Sequence, residues 1–141
     1  MSGLKTQNLM EILKSNGDVK YILENNTDDF ITQSLSESLT AILRQKGLSR
    51  ARVIRNAMLN PIYGQQIFSG VRTPSRDKLL AIVFGLNLDL KETDILLKQH
   101  GYARLYPRNE RDAVVIYGIL HNLSILDVNT LLYENDFETL T

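Results

Sequence analysis

Apolar residues in this chain recur at spacings of three and four, in short runs that a capping residue or a glycine cuts off before each restart. No stretch sustains the period-two alternation of a half-buried strand, and β-branched clusters such as 114–116 sit inside helical patterns. Short helices are therefore the only regular structure the pattern supports. Leu4, Leu9, Ile12 and Leu13 predict a first helix ending near Asn16-Gly17, and Asp18 is placed to cap a second running through Leu23. The polar, acidic stretch 24–29 reads as a linker. From Ser34 onward, Leu35, Leu39, Ile42 and Leu43 mark a buried stripe that stops at Lys46-Gly47. Ser49 is placed to cap the next helix, which buries Val53, Ile54 and Ala57; a turn follows at 58–60. Pro61 suits a first helical position, where its missing N–H would have no partner in any case, and that helix ends at Ser69-Gly70. Thr73-Pro74 opens another, with Leu79, Leu80, Ile82, Val83 and Leu86 on its apolar face. Asp89 and Glu92 have capping-box spacing for a helix carrying Leu90, Leu96 and Leu97.

The last third echoes what precedes it at an offset of 35 residues. Arg76-Asp77 returns as Arg111-Asp112, Asn87-Leu88 as Asn122-Leu123, and Leu96-Leu97 as Leu131-Leu132. Ser124 and Asp127 stand where Asp89 and Glu92 stood. One helical hairpin built twice, the second stacked on or beside the first, accounts for these identities. The expected organisation is all-α: an N-terminal helical segment and linker over 1–33, a compact domain over 34–101, and a C-terminal hairpin over 102–141 packed on it.

The formal net charge is zero, yet half of the Lys and Arg residues fall within 40–80. That segment holds Arg44, Lys46, Arg50, Arg52, Arg55, Arg72, Arg76 and Lys78 against the single acid Asp77, while both flanks are net acidic. Such asymmetry is the footprint of an anion-binding module inside a balanced chain, and a merely solvated basic face is its bland counterpart. Several other classes lose support. The chain has no cysteine, hence no disulfide framework, thiolate nucleophile or thiolate zinc site. Phosphate-loop glycine motifs are absent. No run reaches the roughly 18–20 apolar residues of a membrane span, and a basic-then-apolar leader is missing, so a cytoplasmic protein is expected. His100, before Gly101, reads as an imidazolium favouring a helix C-terminus, and His121 lies in a helical turn; neither has the company a metal or catalytic site needs. Tyr102, Tyr106 and Pro107 form an aromatic connection between the hairpins, either packed or offered to an effector or second subunit. No cofactor and no enzymatic activity are expected.

Residues 48–88 present Leu48-Ser49, Val53-Ile54, the turn at 58–60, Gly70, Pro74-Ser75, and the run from Leu79 to Leu86-Asn87-Leu88, in that order without a gap. In this they resemble the lambda-repressor-like helix-turn-helix of the Cro and xenobiotic-response-element (XRE) family. The resemblance covers under a third of the chain, in many weak positions. The flanks, including 101–112, are similar to uncharacterised helix-turn-helix proteins of Gram-positive bacteria. Three positions depart from the pattern. Met58 stands where the family often has Gly and suggests a slightly different turn. Gly64 interrupts the second short helix, at about 1 kcal/mol against Ala. Phe68 replaces a frequent acid.

The resemblance implies a fold with a helix-turn-helix core, an added C-terminal hairpin and a short N-terminal helical segment. It makes 61–69 a recognition helix lying in the major groove of double-stranded DNA, with Asn60, Ile62, Tyr63, Gln65 and Gln66 toward base edges. Ile67 and Phe68 would face inward. Ser49, Arg50, Arg52, Ser69, Arg72, Thr73 and Arg76 would hold phosphates, helped by free N–H groups at the helix starts near Ser49 and Thr73. The expected function is that of a sequence-specific transcriptional regulator, acting as a homodimer with the C-terminal hairpin as a seam or a protein-binding face. The alternative is a protein-interaction module of the same fold, adaptor or antitoxin-like, with weak or no DNA binding.

Overall fold

The computed structural model describes residues 6–15, 17–25 and 33–141, and among these all regular structure is helical. The helices are α1 (Thr6–Lys14), α2 (Val19–Asn25), α3 (Leu35–Lys46), α4 (Arg50–Asn56), α5 (Pro61–Phe68), α6 (Arg76–Leu86), α7 (Leu90–Gln99), α8 (Glu110–Leu120) and α9 (Ile125–Glu134). None is long and apolar enough to cross a membrane. The chain divides into two compact units, Met1–Gln33 and Ser34–Thr141.

In the first unit α1 ends at Lys14, earlier than expected, and α2 runs past Leu23 to Asn25, so Glu24 and Asn25 are helical rather than linker. Asp18 does cap α2, its Oδ1 accepting from the Lys20 N–H at 3.3 Å. Leu4, Asn16 and the remainder of the expected linker lie outside the described residues.

Most helices of the second unit start on a side-chain cap that relieves the unpaired N–H groups of a first turn. Ser34 opens α3 with a full capping box, its hydroxyl accepting from Glu37 N–H while the Glu37 carboxylate accepts from Ser34 N–H. Ser49, Asn60, Asp89, Asn109 and Ser124 serve α4, α5, α7, α8 and α9 in turn. One expected start is displaced: α6 begins on Ser75, not Thr73, because the Ser75 hydroxyl accepts from Lys78 N–H, while the proline ring at 74 disfavours helical backbone at Thr73. The apolar stripes converge on one continuous core running from Leu39 to Leu140, in which Leu79, Leu80, Ile82, Val83 and Leu86 of α6 are fully buried. Helix α6 is the central strut, in contact with α4 on one side and α9 on the other.

Met58 holds left-handed backbone, φ 58°, and is half exposed. The methionine thus places a side chain where L-residues are strained by about 1–2 kcal/mol. Met58→Gly is expected to raise stability by about 0.5–1 kcal/mol, part of the relief being offset by glycine's greater freedom when unfolded. Thermal unfolding checks this: a melting temperature unchanged or lowered would show that the Met58 side chain contributes more than its backbone costs.

The 35-residue echo is structural. Asn87 and Asn122 share a φ of 54°, and positive φ recurs at Gly101 and Asp136. Leu105 N–H donates to Asp94 Oδ1 just as Leu140 N–H donates to Asn129 Oδ1. Tyr102 N–H reaches Leu97 O, and Phe137 N–H reaches Leu132 O, both at 2.9 Å. Residues 102–105 thus close the first hairpin, α6–α7, and 137–140 close the second, α8–α9. The two are tied by exchanged ion pairs. Arg76 lies bidentate on Asp112, both oxygens at 3.0 Å, and Arg111 lies bidentate on Asp77 at 2.9 and 3.1 Å. Each guanidinium also donates to carbonyls at the end of its own hairpin, Arg76 to Ala103 and Arg104, Arg111 to Glu138 and Thr139.

Candidate nucleic-acid interface

Helices α4 and α5 are joined by residues 57–60, with Leu59 turned into the core and Met58 out of it. Their close approach depends on Gly64. A Cβ there would stand 2.6 Å from Ile54 Cγ2, so the glycine that weakens α5 as a helix is what seats it on α4. With Gly64, Ile67 and Phe68 facing inward, as expected of the latter two, the opposite side of α5 is left in solvent. Ile62 is 71 % exposed, and Gln65 is exposed one turn along. Between the two helices runs an open groove of about 590 Å³, lined by Arg55, Met58, Pro61 and Gln65 among others.

The other residues assigned to base edges are committed in part. Asn60 spends its side-chain carbonyl on the cap of α5, accepting from Ile62 N–H at 2.9 Å and Tyr63 N–H at 3.2 Å, so it has no acceptor to spare. Gln66 is half-buried, and its Oε1 accepts from Arg72 Nε at 3.0 Å. Tyr63 is half-buried against the core with the Arg72 guanidinium 5.3 Å from its ring centre. Adjacent glutamines point about 100° apart around a helix, and only Gln65 falls on the open side.

Of the residues assigned to phosphate, Ser49 caps α4 and Ser69 donates its hydroxyl to Gln66 O. Thr73 is exposed but starts no helix, so the N–H groups expected there belong to Ser75 instead. Arg76 is a correction. Its guanidinium is spent on Asp112 and two carbonyls, which leaves no donor face for a phosphate. Arg50 stacks its guanidinium 5.9 Å from the ring centre of Phe68, and Arg52 is exposed on the same helix. Arg55, three residues beyond Arg52 and on the same face of α4, borders the groove; its helical spacing was the signal that ties it to this surface. Among the described residues no carboxylate pairs with Arg50, Arg52, Arg55 or Arg72. Two of those four cations are thus held in place by rings of α5, and their charge is uncancelled.

Away from this surface, Tyr102 is packed, its hydroxyl donating to Pro74 O at 2.6 Å, and burial together with nearby Tyr63 pushes that phenol up. Tyr106 is exposed. His100 differs from expectation. It ends α7, but burial holds the imidazole below its usual range, and Nε2 shares a 2.8 Å hydrogen bond with Ser38 of α3. The neutral ring, not an imidazolium, is the form the fold prefers. Among the described residues no three His, Asp or Glu side chains gather as a metal-binding group. Comparison with protein-family models, with curated proteins and with solved structures yields no match to this chain.

Proposed function

We propose that this chain is a sequence-specific DNA-binding regulator of transcription, built on a helix-turn-helix formed by α4 and α5. The observation that carries the reading is Gln65, exposed on α5 with Arg55 on the same groove, while Arg50, Arg52 and Arg72 lie on or against the same two helices and none of the four arginines has a carboxylate partner among the described residues. A carboxamide offers one donor and one acceptor, the pair that adenine complements in the major groove, and Ile62 beside it suits a thymine methyl. The surrounding guanidinium groups suit phosphate oxygens, which set position without reading sequence. Arg72 acts through its hold on Gln66 and Tyr63 as well as its charge. Arg76 has no part in the contact.

Selection of bound sites from random duplexes, followed by titration at several salt concentrations, tests the proposal. Gln65→Ala is expected to relax preference at one or two base pairs, each worth about 1–3 kcal/mol. Arg52→Ala and Arg55→Ala are expected to weaken all sequences alike, each lowering the log–log salt slope by about 0.9. Salt-insensitive, sequence-blind binding would discard the regulator and turn attention to a protein ligand on the same helices.

A further inference from the structure

One wall of the α4–α5 groove is made by a residue that folding alone does not favour. Met58 holds left-handed backbone, where glycine is unstrained, and leaves half of its side chain in solvent, lining the groove. Backbone held at a cost is a pointer to a use, and an unbranched, polarisable thioether adapts readily to a bound apolar group. Ile54 and Leu59, only 2 % and 8 % exposed, supply the floor. Two polar groups stand at the rim. Arg55 has no carboxylate partner among the described residues, and Gln65 is exposed on the other helix.

A DNA backbone laid across α4 brings phosphates and water to Arg55, but nothing apolar to Ile54, Leu59 and Met58. A partner helix is no better match, because the walls are one turn long. Ala51 to Arg55 on α4 and Pro61 to Gln65 on α5 each span about 6 Å, whereas a helix seated in a groove anchors over about two turns. About 590 Å³ of groove, apolar below with few polar groups above, is the size and make-up of a small-molecule site. We propose that it binds a small aliphatic carboxylate, the chain lying on Met58, Ile54 and Leu59 and the charge meeting the Arg55 guanidinium, with the Gln65 amide as a second donor. Charge complementarity fixes the sign of the ligand. A guanidinium is a fork for two carboxylate oxygens, and no acid is among the described residues that line the groove.

Octanoate and octanol, each titrated into the isotope-labelled full chain and followed by amide resonances, test the proposal. DNA is left out, so a failed titration is distinct from a failure of the regulator reading, which duplexes alone decide. Octanoate is expected to saturate one site and to move resonances of 54–59 and of Gln65. Arg55→Gln is expected to weaken octanoate about tenfold or more and to leave octanol, which keeps the chain and lacks the charge, as the wild type binds it. Met58→Gly, expected to be the more stable protein, should weaken both ligands about fivefold, since it keeps the turn and removes the wall. Binding that never saturates, or that is the same in wild type and both variants, would overturn the proposal. So would a loss in Arg55→Gln as large for octanol as for octanoate.

Discussion

Arg76→Ala is expected to lower the stability of the Ser34–Thr141 unit by about 2–3 kcal/mol, although the sequence pattern placed this residue on a DNA backbone. The cost has two sources. Asp112 has only 10 % of its side chain exposed and loses its bidentate partner, and the carbonyls of Ala103 and Arg104 lose their donor. Burial by itself pushes the Asp112 carboxyl up; the Arg76 guanidinium, the Tyr106 N–H and the nearby charge of Arg111 outweigh it and hold the carboxyl below its ordinary 3.8. A carboxyl depressed by folding contributes stability above its unfolded value and loses it as pH falls through the folded one. Removing Arg76 leaves the charged form buried with fewer partners, so protonation relieves the variant just where it harms the wild type. The gap between the two, measured by urea unfolding, is therefore expected to be widest near neutrality and to narrow toward pH 3. Asp112→Asn in the same chain should recover part of the loss, since a neutral amide is cheaper to leave unpaired, and the double-mutant cycle would then report coupling above about 0.5 kcal/mol. A gap below about 0.5 kcal/mol, or one that ignores pH, would mean that the exchanged ion pairs merely decorate the seam.

The same residue marks where sequence reasoning runs out. Helices were legible because their determinants are local: a cap, a stripe and a terminator within a dozen residues, as at Ser49, Val53-Ile54 and Met58. The duplication was legible too, through Arg76-Asp77 and Arg111-Asp112. The pairing of each arginine with the other hairpin's aspartate was not, because it joins side chains 34 and 36 positions apart. A positive charge following a recognition helix looks the same in sequence whether it meets phosphate or a buried carboxylate. Gln65 and Gln66 present a similar case. Both suit adenine by chemistry, but a single residue of helical rotation sends one to solvent and the other to Arg72. His100 read as a helix-end cation because the sequence does not show that α3 brings Ser38 against it.

Gly85→Ala is expected to cost about 3 kcal/mol and to lower the melting temperature by roughly 10 °C or more. Helix propensity argues the reverse, since alanine in mid-helix is favoured over glycine by about 1 kcal/mol. Packing decides the sign. The new Cβ would lie 2.5 Å from Val53 O and 3.2 Å from both Ala57 Cβ and Val53 Cγ1, and the nearest of these is main chain, which no rotamer change moves aside. Helix α4 must then shift as a body, and α5, seated on it through Gly64 and Ile54, must follow. Gly64→Ala meets only atoms of the Ile54 side chain, at 2.6, 2.7 and 2.9 Å, so part of its strain can be relieved by repacking and part offset by propensity. Thermal unfolding should therefore rank Gly85→Ala well below Gly64→Ala, with both below wild type. If the chain binds DNA through α4 and α5, the folded fraction of Gly85→Ala should also bind more weakly, because the arginines of α4 ride on the displaced helix. A Gly85→Ala chain as stable as wild type would show that α4 is not pressed against the α6 backbone.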